Sequence, residues 1–151
     1  MTRSRLTRFL FTPAALAGVL FFAALLTFAP ADVARADNDD PLFVNMTTDE
    51  PHRARMAIGF ARKQQERKHP VTIFLNDKGV LVGAKSKAQA FGVHQEMLAA
   101  IVKDGGNVIV CPMCMEHYGV KTDDLVEGAQ PGNPELTGKL LFEDDTKTLT
   151  W

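Results

Sequence analysis

Three short apolar runs, Leu42-Phe43-Val44-Asn45-Met46, Val71-Thr72-Ile73-Phe74-Leu75 and Asn107-Val108-Ile109-Val110-Cys111, recur along the chain with stretches of helical periodicity between them. Such runs, rich in β-branched and aromatic side chains, read as buried strands. Alternation of strand and helix implies right-handed βαβ crossovers and a mainly parallel sheet covered on both faces. Ligand chemistry in these sheets belongs at the carboxyl ends of the strands. The loops at that edge are Thr47-Thr48-Asp49, Asn76-Asp77 and Cys111-Pro112-Met113-Cys114. Thr48, Asp49, Asn76 and Asp77 are therefore candidate substrate-binding residues.

The intervening segments carry helix signals. Thr47-Thr48-Asp49-Glu50-Pro51 is a helix start, with Thr48 or Asp49 as cap, and Ala54, Ala57, Ile58 and Ala61 follow at helical spacing. This helix is expected to end near Lys68, before Pro70. Residues 80–90 are ambiguous between a strand end and a helix start, and Gly83 and Gly92 weaken a long helix. A clearer helix covers 93–103, with Met97, Leu98, Ile101 and Val102 inward. After Cys111, Pro112 to Tyr118 forms a two-turn helix that Gly119 terminates. Asn133-Pro134 opens a last helix running to about Phe142, and 146–151 alternates as a closing strand. A fourth strand within 126–130 is poorly signalled.

The first 36 residues are of another kind. Arg3, Arg5 and Arg8 precede 23 uncharged positions, Phe9 to Ala31, and Ala34-Arg35-Ala36 stands before the polar run Asp37-Asn38-Asp39-Asp40. A basic start, an apolar stretch and a small-residue cleavage pattern make an export signal, cleaved after Ala36. An uncleaved membrane anchor is the competing reading. Cleavage leaves residues 37–151 as a single domain, expected in the periplasm. Removing four arginines and one acid from 17 basic and 18 acidic residues leaves 13 against 17, a mildly acidic protein with no reason to bind nucleic acid.

Both cysteines lie three positions apart in a compartment that oxidises thiols. Pro112 suits the first helical position, which makes Cys111 the N-cap and points the free N–H groups of Met113 and Cys114 toward its sulfur. Those donors favour a thiolate, so Cys111 is the candidate nucleophile. Cys114 can close a disulfide with it or attack a mixed disulfide or persulfide on it. His117 follows on the same helix face, able to favour a thiolate when charged or to move protons when neutral. Tyr118 adds a hydroxyl at the rim. Cysteines are also buried as small hydrophobes, but a C-x-x-C at a strand-to-helix junction is less often inert. Met113 and Met115 suit packing, the run Arg62 to Lys68 a solvated helix end, and His52, His69 and His94 have no spaced partners.

No cofactor is required, yet Cys111, Cys114 and His117, with Met113 or Met115, would also suit a soft metal such as copper. Structural zinc needs a second ligand pair, which is missing. A C-x-x-C-H haem signature is absent because Met115 follows Cys114.

The strand into Cys111-Pro112-Met113-Cys114, then His117-Tyr118-Gly119-Val120, Asp124-Leu125-Val126-Glu127-Gly128-Ala129 and the terminal Leu149-Thr150-Trp151, resembles the DsrE/DsrF-like sulfur-relay family and its YchN-like branch. Phe43-Val44-Asn45-Met46-Thr47-Thr48-Asp49 before an Ala-rich helix fits as well, so the resemblance covers residues 41–151. It implies a three-layer α/β/α sandwich with about five strands, assembled as a trimer or hexamer. It further implies that Cys111 holds sulfane sulfur as a persulfide, with Cys114 matching the second cysteine of the C-x-x-C branch. The expectation is an exported sulfur carrier or thiol-redox protein, acting as a sulfurtransferase or thiol oxidoreductase on small sulfur species or on a donor protein. A soft-metal protein and a non-catalytic oligomeric subunit are the alternatives. The export signal, and Tyr118 where many relatives carry a basic residue, set it apart from the cytoplasmic relay members and their partners.

Overall fold

The computed structural model describes residues 39–151; the export segment lies outside the described residues. Five strands form one sheet in the order β4-β3-β2-β1-β5 and every pairing is parallel. They are β1 (Leu42–Met46), β2 (Val71–Leu75), β3 (Asn107–Val110), β4 (Gln130–Pro131) and β5 (Lys147–Thr150). Four α-helices connect them: α1 (Pro51–Glu66), α2 (Ala88–Lys103), α3 (Pro112–Tyr118) and α4 (Pro134–Leu141). This is the three-layer α/β/α sandwich expected from the sequence.

The strand order follows from crossover handedness. From β1 to β4 the chain steps one way across the sheet, so right-handed connections put α1, α2 and α3 on one face. The step back from β4 to β5 runs the other way and puts α4 on the second face. The packing agrees. Val44, Ile73 and Val108 of the first face join Ala54, Ala57, Ile58, Leu98, Ile101 and Met115 in one core cluster. Small alanines on α1 let it approach the sheet closely, and each fully buried Ile or Leu contributes about 1.5–3 kcal/mol relative to exposure. On the second face Phe43 and Phe74 meet at 6.1 Å beside the buried Ile109.

Several local readings need correction. The cap of α1 is Glu50, not Thr48 or Asp49. Its two carboxylate oxygens accept from the N–H groups of His52 and Arg53 at 3.0 and 2.7 Å, whereas the Thr48 hydroxyl is already engaged by Glu50 N–H. Those two hydrogen bonds, that of Arg53 first, hold the Glu50 carboxyl below its ordinary range. From 77 to 87 the chain forms neither a strand nor a long helix: short 3-10 turns occupy Asp77–Leu81 and Lys85–Lys87. The second turn is held by Asp124, whose carboxylate accepts from Ser86 Oγ and Ser86 N–H. Helix α2 then starts at Ala88, ahead of the expected 93, because burial of Phe91 and His94 outweighs the modest helix cost of Gly92. His94 Nε2 lies 2.8 Å from the Pro51 carbonyl and ties α2 to the start of α1. The fourth strand is reduced to two residues, one of them a proline that cannot donate to the ladder.

Candidate functional site

Three strand ends meet at one place on the carboxyl edge. The N–H of Cys111 donates to the Leu75 carbonyl at 2.9 Å, which extends the β2–β3 ladder one residue past the strand and fixes where the chain turns into α3. Cys111 is extended (φ −64°, ψ 113°), Pro112 takes the first helical position, and Gly119 closes the helix in the left-handed conformation (φ 69°) that glycine adopts without a Cβ penalty. The connection after β3 leaves toward one face and that after β4 toward the other, so Cys111 borders the point where the crossovers diverge. That is where open α/β sheets place their ligands.

Cys111 and Cys114 form a disulfide, their Cα atoms 5.3 Å apart. The N–H of Cys114 lies 3.3 Å from Cys111 Sγ, the N-cap geometry expected from the Cys-Pro sequence. The loop after β2 supplies the other side. Asp77, with φ at 46°, aims its N–H at Cys114 Sγ from 3.3 Å, and Asn76 Oδ1 lies 3.1 Å from the same sulfur. Asp77 also accepts the Tyr118 hydroxyl at 2.5 Å, which clamps this loop onto α3. Asn76 N–H donates to the Met46 carbonyl and its side-chain Nδ2 to Asn45 Oδ1 at 3.4 Å, so the loop is seated on the end of β1 as well.

Asn76, Asp77 and Tyr118 are thus gathered around the cysteine pair. His117 is exposed and packs edge-on against the Tyr118 ring at 4.7 Å. Met113 is 81% exposed beside the disulfide, whereas Met115 is buried. Thr48 serves the turn into α1, and Asp49 reaches the site through its charge, felt at Tyr118. Asn45 and the chain end were not legible as parts of the site. Thr47 donates to the Trp151 carbonyl through both its N–H (2.8 Å) and its hydroxyl (2.6 Å), which pins the loop after β1 to the end of β5. Among the described residues no group of three or more His, Cys, Asp or Glu is arranged to hold a metal ion, and no helix is long and apolar enough to cross a membrane.

The hydrogen bond to Asp77, with slight desolvation and the charges of Asp77 and Asp49, raises the Tyr118 pKa above its ordinary 10.0. The fold therefore favours the neutral phenol. Its contribution is fully present below the unfolded value and is lost as pH rises through the raised one. Tyr118 is the chain's sole tyrosine, so phenolate absorbance reads it alone. Its titration midpoint is expected above that of a free tyrosine and is expected to fall back in Asp77→Asn. A midpoint unaffected by that substitution would show that the clamp does not exist in solution.

The family model described as DsrE/DsrF-like matches residues 42–146. Among solved structures, the fold is similar to the ychN protein from E. coli, with TM-score 0.54 and 18% identity over 75% of this chain and 99% of that one. It is also similar to BT1422 from Bacteroides thetaiotaomicron, a conserved protein of unknown function, with TM-score 0.52 and 18% identity over 74% and 95% of the two chains. At that identity the structures share a fold. No curated protein matches the chain.

Proposed function

Since this chain belongs to the DsrE/DsrF-like family, we propose that it is an exported sulfur-carrier or thiol-redox protein, with Cys111 as acceptor of sulfane sulfur and Cys114 as resolving thiol. The observation that carries this reading is the Cys111–Cys114 disulfide at the carboxyl end of β3, with an N–H aimed at each sulfur. An external dithiol opens the disulfide by giving up two electrons and two protons and becoming a disulfide itself. The Cys111 thiolate then attacks a terminal sulfur of a polysulfide, forms the new S–S bond, and releases the shortened polysulfide. An acceptor thiolate can take that outer sulfur. Alternatively Cys114, losing its proton to solvent, attacks the inner sulfur and expels hydrosulfide as the disulfide re-forms. His117 is assigned the proton transfers, and Thr48, Asp49 and Tyr118 the rim that receives the sulfur species.

Residues 1–36 as a cleaved signal would deliver residues 37–151 to the periplasm, where an oxidised resting pair fits the compartment. Assembly as a trimer or hexamer is supported by an open groove of about 510 Å³ on the outer side of α1. Met56 (52% exposed) and Phe60 (40%) line it, and Val93 on α2 is 53% exposed. Partners of the site would be small sulfur species or a sulfur-donor protein.

The test is the intact mass of the protein purified from periplasm with thiols blocked, before and after polysulfide. The expected result is an N-terminus at Asp37 and, after reduction, a gain of one or more sulfur atoms. No gain, with a copper ion retained until acid releases it, would replace the carrier reading with a soft-metal site of Cys111, Cys114 and His117.

A further inference from the structure

The two sulfurs of the pair face different chemistry. Among the described residues, the polar group in reach of Cys111 Sγ is a donor, the Cys114 N–H at 3.3 Å. Cys114 Sγ meets a donor and an acceptor, the Asp77 N–H at 3.3 Å and Asn76 Oδ1 at 3.1 Å. The side-chain amide of Asn76 is oriented by its other bonds: Oδ1 accepts the Asp77 N–H at 2.9 Å, and Nδ2 donates to Asn45 Oδ1. Its oxygen, not its nitrogen, is therefore the atom turned toward the sulfur.

A disulfide sulfur has no proton to donate, so in the oxidised protein the Asn76 oxygen is a close contact only. Reduction changes that. Two electrons and two protons from a dithiol leave a thiol at each cysteine, and the Cys114 S–H then has an acceptor waiting. A thiolate at Cys114 would instead set its charge against a carbonyl lone pair. A thiolate at Cys111 meets only a donor. The charged and titratable groups on the elements that carry or adjoin the pair are Asp77 and Lys78 on the loop after β2, Asp49 on the loop after β1, and Glu116, His117 and Tyr118 on α3. The carboxylates disfavour a thiolate near them by their charge. The Asn76 oxygen is the acceptor placed against one sulfur of the pair, that of Cys114.

We infer that Asn76 is a positioning residue that keeps the proton on Cys114, so that Cys111 is the first of the two to ionise and react. The inference rests on the reading of the pair as a working dithiol. It explains from geometry why one cysteine would accept sulfur while the other waits to resolve it.

The experiment uses the mature chain, reduced with a dithiol that is then removed. Limiting iodoacetamide is added at a series of pH values; each thiolate forms an S–C bond and iodide leaves, and peptide mass spectrometry reads Cys111 and Cys114 separately. Near neutral pH Cys111 is expected to react at least about tenfold faster, the effect of a one-unit gap in pKa. Asn76→Leu, which removes the acceptor, is expected to narrow that ratio about three- to tenfold and to bring the two pH profiles together. Asn76→Asp keeps an acceptor and the cap of the following turn, and is expected to restore or widen the preference for Cys111. Equal rates in the parent protein, an unchanged ratio in Asn76→Leu, or Cys114 reacting faster in Asn76→Asp than in the parent would each overturn the inference. Should Asn76→Leu fail to fold, the Asp variant alone decides. Selectivity without polysulfide uptake would fell the carrier reading and leave the proton assignment standing; uptake without selectivity would do the reverse.

Discussion

Cys111→Ser is expected to abolish the sulfur adduct outright, and Cys114→Ser to lengthen its life at least about tenfold. A serine hydroxyl does not ionise near neutral pH and forms no persulfide, so the first variant has no acceptor. The second keeps the acceptor and loses only the internal thiol that would attack it, leaving release to external thiols. Both variants should fold. The disulfide closes a loop of sequence separation three, for which chain entropy gives only about 2 kcal/mol. The core that holds β3 and α3 in place, with Val108, Val110 and Met115 buried, does not depend on the bond. Intact mass followed over time after a polysulfide pulse reads both effects, and a thermal melt guards against unfolding. An adduct that survives in Cys111→Ser and vanishes in Cys114→Ser would reverse the two roles.

What was legible in the sequence was local. Strand β2 is bounded by Pro70 and by Asn76-Asp77, and its β-branched run has no competing reading, so its limits were readable to the residue. Helix α3 was equally plain, because Cys-Pro sets its start and Gly119 its end. The misread features depend on contacts from elsewhere in the chain. Helix α2 begins early because Phe91 and His94 find a buried site, His94 against a carbonyl of α1. Glu50 displaced the expected caps because a longer side chain can serve two N–H groups at once.

The site shows the same division. Asn76 and Asp77 could be named as loop residues at the right edge, but their contact with Cys114 is a matter of register. Leu75 pairs with Val110, so the residues after each strand arrive side by side. Nothing in the sequence near Cys111 announces that a donor and an acceptor will reach the second sulfur from a segment 37 and 38 residues away. The pinning of Thr47 by the chain terminus likewise requires β5 to return beside β1, a separation of 104 residues.

Gly79→Ala is expected to destabilise the protein by about 3 kcal/mol and to loosen the site with it. A Cβ at this position would lie 2.2 Å from the Met46 carbonyl oxygen and 3.1 Å from its carbon, both backbone atoms that cannot rotate away. That carbonyl already accepts the Asn76 N–H at 2.9 Å, and the turn is closed by Gly79 N–H on Asn76 O at 2.8 Å. Relief requires the turn to lift off β1 or the end of β1 to shift. A lifted turn loses the Asn76 bond to Met46 and draws the Asp77 N–H and the Asn76 oxygen away from Cys114. Gly59→Ala is the matched control: its Cβ, on α1, would meet Met97 Cε of α2 at 3.6 Å, an ordinary contact, and alanine favours a helix by about 1 kcal/mol. Urea unfolding should therefore lower the midpoint for Gly79→Ala and leave it equal or higher for Gly59→Ala. The iodoacetamide preference for Cys111 should shrink only in the first. A Gly79→Ala protein with parental stability and parental cysteine selectivity would mean that the turn does not rest on β1, and the link between strand packing and cysteine chemistry would be lost.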